Sequence, residues 1–119
     1  MPISPDAPCI DAEEAIASIT DSIQKSVHET LRRRGAVVSL SGGIDSSLCA
    51  AVCAPAFGKE NVLALFMPER ASAFETFGLG KLGAATFGIN NVTEDIAPVL
   101  EGAGCYSQAL RRSARHKSA

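Results

Sequence analysis

Ile16, Ile19, Ile23, Val27 and Leu31 recur at helical spacing and draw one apolar stripe along an otherwise polar segment. Asp11 reads as the N-cap of that helix, with Glu13 and Glu14 favourable in its first turn. Arg32, Arg33 and Arg34 suit the negative end of the helix dipole, and Gly35 is the expected C′ residue. These arginines could also bind phosphate, but capping explains them without a ligand. The pattern then changes. Ala36-Val37-Val38-Ser39-Leu40 is a short, nearly continuous apolar run, the mark of a strand buried on both faces in a parallel sheet. A second helix starts near Ser46 and runs through Leu48 to Ala54. Pro55 disturbs its last turn and Gly58 ends it.

Lys59-Glu60-Asn61 reads as a turn, and Val62-Leu63-Ala64-Leu65-Phe66 as a second buried strand. Residues 67–72 leave it as a loop. A third helix is expected over Ala73 to Phe87, closed by Gly88. It contains Gly78, Gly80 and Gly83, each costing up to ~1 kcal/mol relative to Ala. Asn91 to Asp95 is a short third strand. Ile96 to Leu110 carries one more helical stretch, interrupted by Gly102 and Gly104.

Strands alternating with helices imply βαβ units, right-handed crossovers and a parallel sheet. The expected fold class is therefore α/β. Three parts are expected: a proline-rich flexible leader over residues 1–10, an α/β domain over 11–110, and a disordered basic tail over 111–119. In the tail, Arg111, Arg112, Arg115, His116 and Lys117 have no apolar face behind them, so a solvated terminus is preferred to a phosphate-binding or targeting segment.

The 119 residues suffice for one small domain. The net charge of −2 supplies no basic field for nucleic acid or a membrane surface. No apolar run approaches the ~20 residues of a membrane span. The first residues lack the charged and apolar regions of a signal peptide, so a cytoplasmic protein is expected. Cys49 and Cys53 share a helix face, but no Cys-x-x-Cys occurs, and His28 and His116 lie far away in sequence. The cysteines read as small apolar residues in a reducing compartment.

The candidate chemistry sits in Ser41-Gly42-Gly43-Ile44-Asp45-Ser46-Ser47, between the first strand and the second helix. Two glycines let the backbone approach an anion and take φ > 0. The first-turn N–H groups and the positive helix end then face phosphates. Ser41, Ser46 and Ser47 add hydroxyls. Asp45 would repel a bare phosphate, but a Mg²⁺ bridges carboxylate and phosphate oxygens, which makes Asp45 the candidate metal ligand. There is no Lys as in a Walker A loop. The competing reading is a Gly/Ser turn that merely caps a helix. Ligands of such sheets bind at the carboxyl ends of strands. Met67, at the end of the second strand, shares that edge, so phosphates and an adenine could lie side by side.

SGGIDSS resembles the PP-loop of the ATP pyrophosphatase superfamily. The surrounding stretches VVSLSGGIDSS, GKENVLALFMPERAS and GINNVTEDIAPVLEGAGCY are similar to ammonia-dependent NAD synthetases from about Asp11 to Tyr106. The resemblance implies a Rossmann-like (adenine nucleotide alpha hydrolase-like) fold, here an incomplete, three-stranded portion of it. It implies ATP held by Ser39, Leu40, Ser41, Gly42, Gly43, Ile44, Asp45, Ser46, Ser47 and Met67, with Mg²⁺ on Asp45. No residue is assigned a catalytic role.

What the family implies is amide formation. The carboxylate of nicotinic acid adenine dinucleotide attacks the α-phosphorus of ATP and expels pyrophosphate. Ammonia then displaces AMP and leaves NAD. Such synthetases are more than twice this length, and this chain is expected to correspond to the N-terminal half and to be inactive alone. In that superfamily the first strand is central, with a fourth strand as its second neighbour, and no fourth strand is visible. One flank of the first strand should then be open, inviting a homodimer or a completing chain. Two further readings remain: an ATP-binding module without catalysis of its own, and another PP-loop enzyme of the GMP, asparagine or tRNA-thiolation type.

Overall fold

A computed structural model describes residues 9–70 and 74–117. Most of the expected leader, residues 1–8, lies outside them. The elements are α1 (Ala12–Lys25), β1 (Ala36–Ser39), α2 (Ile44–Phe57), β2 (Val62–Phe66), α3 (Phe74–Phe87), β3 (Asn90–Thr93), α4 (Ala97–Gly102) and α5 (Cys105–Lys117). The strands form a parallel sheet in the order β1-β2-β3, with Ala36 opposite Val62 and Leu63 opposite Asn90. This is the α/β alternation expected, and β1 lies at a sheet edge.

Side chains alternate across the sheet. Val38 and Leu40 of the first strand's run, with Val62, Ala64 and Phe66, point to one face. Ala50, Cys53, Ala56 and Phe57 of α2 and Ala84 of α3 close over that face and complete the core. The opposite face carries Val37, Leu63, Leu65 and Val92, none of them buried. Val37 is 64% exposed.

α1 begins as expected, with the Asp11 carboxylate accepting the Glu14 N–H at 3.2 Å. Its end differs. The helix widens into a π-turn over Ser26–Thr30, and the chain reverses at Arg32, which takes φ 52°. The Arg33 N–H reaches back to the Val27 carbonyl at 2.9 Å, one residue further than a Schellman bond because the last turn is π-wound, and Arg32, not Gly35, is the C′ residue. Gly35 is needed for another reason: a Cβ there would collide with the Asn61 carbonyl at the start of β2. The apolar stripe is also used unevenly. Ile23 and Val27 pack on the core, whereas Ile16, Ile19 and Leu31 remain exposed.

α2 starts two residues earlier than expected and continues through Pro55 to Phe57. Its C-terminal carbonyls find side-chain donors: Gln24 Nε2 reaches the Ala56 oxygen at 2.6 Å, and Asn61 Nδ2 the Phe57 oxygen at 2.9 Å. α3 forms despite its glycines. Gly80 is where it presses on the sheet: a Cβ would lie 3.0 Å from Phe66 Cε1 and 3.4 Å from the Leu40 oxygen. Gly102 and Gly104 do divide the last helical stretch, Gly104 with φ +76° at the corner between α4 and α5. α5 then continues as helix to Lys117, through residues 111–117 where the sequence pattern alone suggested a disordered tail.

Candidate functional site

The turn from β1 to α2 is built from its own serines. Ser39 is the last residue of β1 and is exposed, while Leu40 beside it is 4% exposed and belongs to the core. The Leu40 N–H donates to the Leu65 carbonyl at 3.0 Å, so the loop leaves the sheet anchored to β2. Gly42 takes φ +84°, and a side chain on it would strike the Thr76 carbonyl in the first turn of α3. Gly43 is the N-cap of α2 and brings no side-chain acceptor to the first-turn amides. Those N–H groups therefore stay directed out of the helix end.

The hydroxyls stabilise the turn internally. Ser46 Oγ accepts the Ser41 N–H at 3.2 Å and lies 3.2 Å from Ser41 Oγ. Ser46 Oγ and Ser47 Oγ donate to the Gly43 carbonyl at 3.3 and 2.8 Å. Ser41 Oγ accepts the Gly43 N–H at 3.4 Å. These bonds point the Gly43 carbonyl into the helix and away from the loop mouth. Ile44, 85% exposed, and Asp45, also exposed, stand in the first turn of α2.

Met67 leaves β2 on the same sheet edge and is 40% exposed. The sequence-predicted residues 39–47 and 67 are thus brought to the carboxyl ends of β1 and β2. Among the described residues no group of three His, Cys, Asp or Glu side chains could hold a metal ion. A cation here would depend on the Asp45 carboxylate and on oxygens of an anionic ligand, a donor set suited to Mg²⁺.

Two features of this edge were invisible to sequence reasoning. One is the contact of Gly42 with Thr76. The other is a cluster around Tyr106 at the start of α5. Its hydroxyl donates to Glu69 Oε2 at 2.9 Å and accepts the Arg70 N–H at 3.1 Å. The Arg70 guanidinium lies 4.8 Å from the Tyr106 ring centroid and bonds Glu101 Oε2 at 2.7 Å. Desolvation, with the Glu69 acceptor adding to it, raises the Tyr106 pKa above its ordinary value. The partners are 36 and 37 residues apart, and no local spacing links them.

A parallel sheet with a glycine-serine loop opening onto a helix N-terminus defines a nucleotide-binding, Rossmann-like domain. The NAD synthase family model matches residues 15–117, and the chain belongs to that family. It is 52% identical over 101 residues to the NH(3)-dependent NAD(+) synthetase of Mesorhizobium japonicum, covering 85% of this chain and 32% of that protein. The enzyme of the same name from Methanocaldococcus jannaschii is 42% identical over 96 residues, 79% of this chain and 37% of that one. Among solved structures, the NH3-dependent NAD synthetase from Campylobacter jejuni superposes with a TM-score of 0.73 at 31% identity, over 82% of this chain and 42% of that one. An NMN synthetase from Francisella tularensis shares the fold, with a TM-score of 0.75 at 22% identity over 85% of this chain and 41% of that one. The chain spans about a third of the length of the curated relatives from Mesorhizobium and Methanocaldococcus. No helix among the described residues is long and apolar enough to cross a membrane.

Proposed function

We propose that this chain carries the ATP-pyrophosphate site of an NAD synthetase. The observation behind this reading is the turn at Gly42 and Gly43, which leaves the first-turn amides of α2 open at the carboxyl edge of the sheet. Pyrophosphate is the leaving group when a carboxylate attacks the α-phosphorus of ATP. Negative charge grows on it as the bond breaks, and preformed N–H donors at a positive helix end stabilise that charge without reorganising. Residues 41–47 do this work, with Ser39 and Leu40 setting the strand end and Met67 beside the base.

Asp45 would hold Mg²⁺ against the phosphate oxygens, and the ion would neutralise part of their charge. The carboxylate is that of nicotinic acid adenine dinucleotide. Ammonia completes the amide, and AMP leaves with the bonding pair of the broken C–O bond. The chain's own residues bind and orient ATP and form no covalent intermediate.

The open side of β1 and the unburied Val37, Leu63, Leu65 and Val92 favour a second reading, in which this ATP-binding module is completed by another chain, a second copy included. Titration calorimetry with MgATP and with magnesium pyrophosphate tests the binding claim. Both should bind, and pyrophosphate should compete with ATP. Failure of both ligands to bind would overturn it. Following NAD formation from nicotinic acid adenine dinucleotide, ammonium and MgATP then separates the readings: turnover by the chain alone supports the synthetase, and binding without turnover supports the module.

A further inference from the structure

Residues 67–70 join β2 to the segment before α3, and they stand next to the phosphate loop because β1 and β2 are paired in register up to Ser39 and Leu65. This exit is fastened from the β3 side. The Phe66 carbonyl accepts the Glu94 N–H at 2.8 Å, and the Pro68 carbonyl accepts the Ile96 N–H at 3.1 Å. The two residues beyond are held by Tyr106. One hydroxyl engages both Glu69 and Arg70, and one ring lies under the Arg70 guanidinium. Glu101 takes the outer side of the same guanidinium. The corner that delivers Tyr106 is made by Gly104, whose φ of +76° turns α4 into α5.

We propose that Tyr106 is a positioning residue of the nucleotide site: through Glu69 and Arg70 it sets the height of the β2 exit, and so of Met67, beside the adenine ring of ATP. The proposal rests on the ATP-binding reading above and extends it to a residue outside the phosphate loop. The physical case is pre-organisation. A loop fixed before binding loses no conformational freedom when a base settles against it. Phosphates would meet residues 41–47 at the other end of the ligand, and the partners of Tyr106 among the described residues are Glu69 and Arg70. The clamp therefore acts on the base end of the ligand and leaves the phosphate end alone. A clamp that served only to hold α5 on the body would not discriminate between these ligands.

The experiment uses the full chain with Tyr106→Phe, which keeps the ring and removes the hydroxyl. Calorimetric titration is run with MgATP and, separately, with magnesium pyrophosphate. The ATP dissociation constant should rise about tenfold, because both hydroxyl bonds, to Glu69 and from the Arg70 N–H, are lost and the exit must then be ordered at the expense of binding. The pyrophosphate constant should stay within about twofold. Arg70→Lys, which keeps the charge but loses the planar stack and fork, should change the ratio of the two constants in the same direction. It also provides the measurement if Tyr106→Phe does not fold. Unchanged ATP affinity, or a parallel loss for both ligands, would overturn the clamp while leaving the ATP reading intact. A wild-type chain that binds neither ligand overturns both.

Discussion

Gly42 meets the main-chain oxygen of Thr76 at a distance that leaves no room for a Cβ. The glycine-serine loop after β1 is thereby seated against the first turn of α3. Its φ of +84° independently favours glycine. Gly42→Ala should destabilise the chain by about 1–3 kcal/mol and weaken MgATP binding, because strain and collision both act on the loop. Denaturant titration measures the first effect and calorimetry the second. A variant as stable as wild type would show that the loop and α3 are not packed this way.

Asp45→Ala removes the carboxylate proposed to hold Mg²⁺. ATP affinity should then lose its dependence on Mg²⁺, while binding in the absence of Mg²⁺ rises, since a negative charge near the phosphates is gone. Identical Mg²⁺-dependent affinities for the variant and wild type would remove Asp45 from the metal site.

The glycines of α3 are not equivalent. A Cβ on Gly78 or Gly83 would meet nothing within 4 Å, whereas on Gly80 it would press on Phe66 and on the Leu40 carbonyl. Gly78→Ala and Gly83→Ala should each stabilise the fold by up to about 1 kcal/mol through helix propensity. Gly80→Ala should lower stability. Thermal melts of the three variants give the order, and equal effects at all three sites would contradict the packing of α3 on β2.

Burial raises the Cys53 thiol pKa above its ordinary value, with Cys49 on the same helix face adding to the rise. The folded chain therefore holds this proton more tightly than the unfolded chain. Stability should be level below the ordinary thiol range and should fall as pH rises through it towards the raised value. Cys53→Ala should flatten that alkaline slope in denaturant titrations at a series of pH values. Thiol labelling at neutral pH should modify the exposed Cys49 before the buried Cys53.

β1 has a paired neighbour on one side, and its own Val37 is 64% exposed. Ile44 and Leu48 of α2 are also exposed, at 85% and 59%. Purified protein should self-associate with rising concentration, and Val37→Lys should move the midpoint of association at least about tenfold higher, since an edge lysine opposes strand addition. Light scattering across a concentration series checks this. A wild-type monomer at every concentration would dismiss an interface on this face.

Local pattern was enough to read much of the molecule. The runs at Ala36 to Leu40 and Val62 to Phe66 announced parallel strands buried on both faces, but the helices cover one face and leave Val37, Leu63 and Leu65 unburied on the other. The Gly42-Gly43 turn between strand and helix was legible too, because its backbone demands are carried by adjacent residues. Tertiary structure decided what depends on distant partners. Gly35 yields to Asn61 of another element, while the helix before it closes on Arg32. Of the stripe of α1, Ile23 and Val27 meet the core, where the helix lies against α2. Gly80 differs from Gly78 and Gly83 only in what lies across from it. Tyr106 joins Glu69 and Arg70 only after β3 and the corner at Gly104 have carried it back over the sheet edge. Periodicity records which face of an element is apolar; which residue of another element arrives there is settled by chain closure over tens of residues.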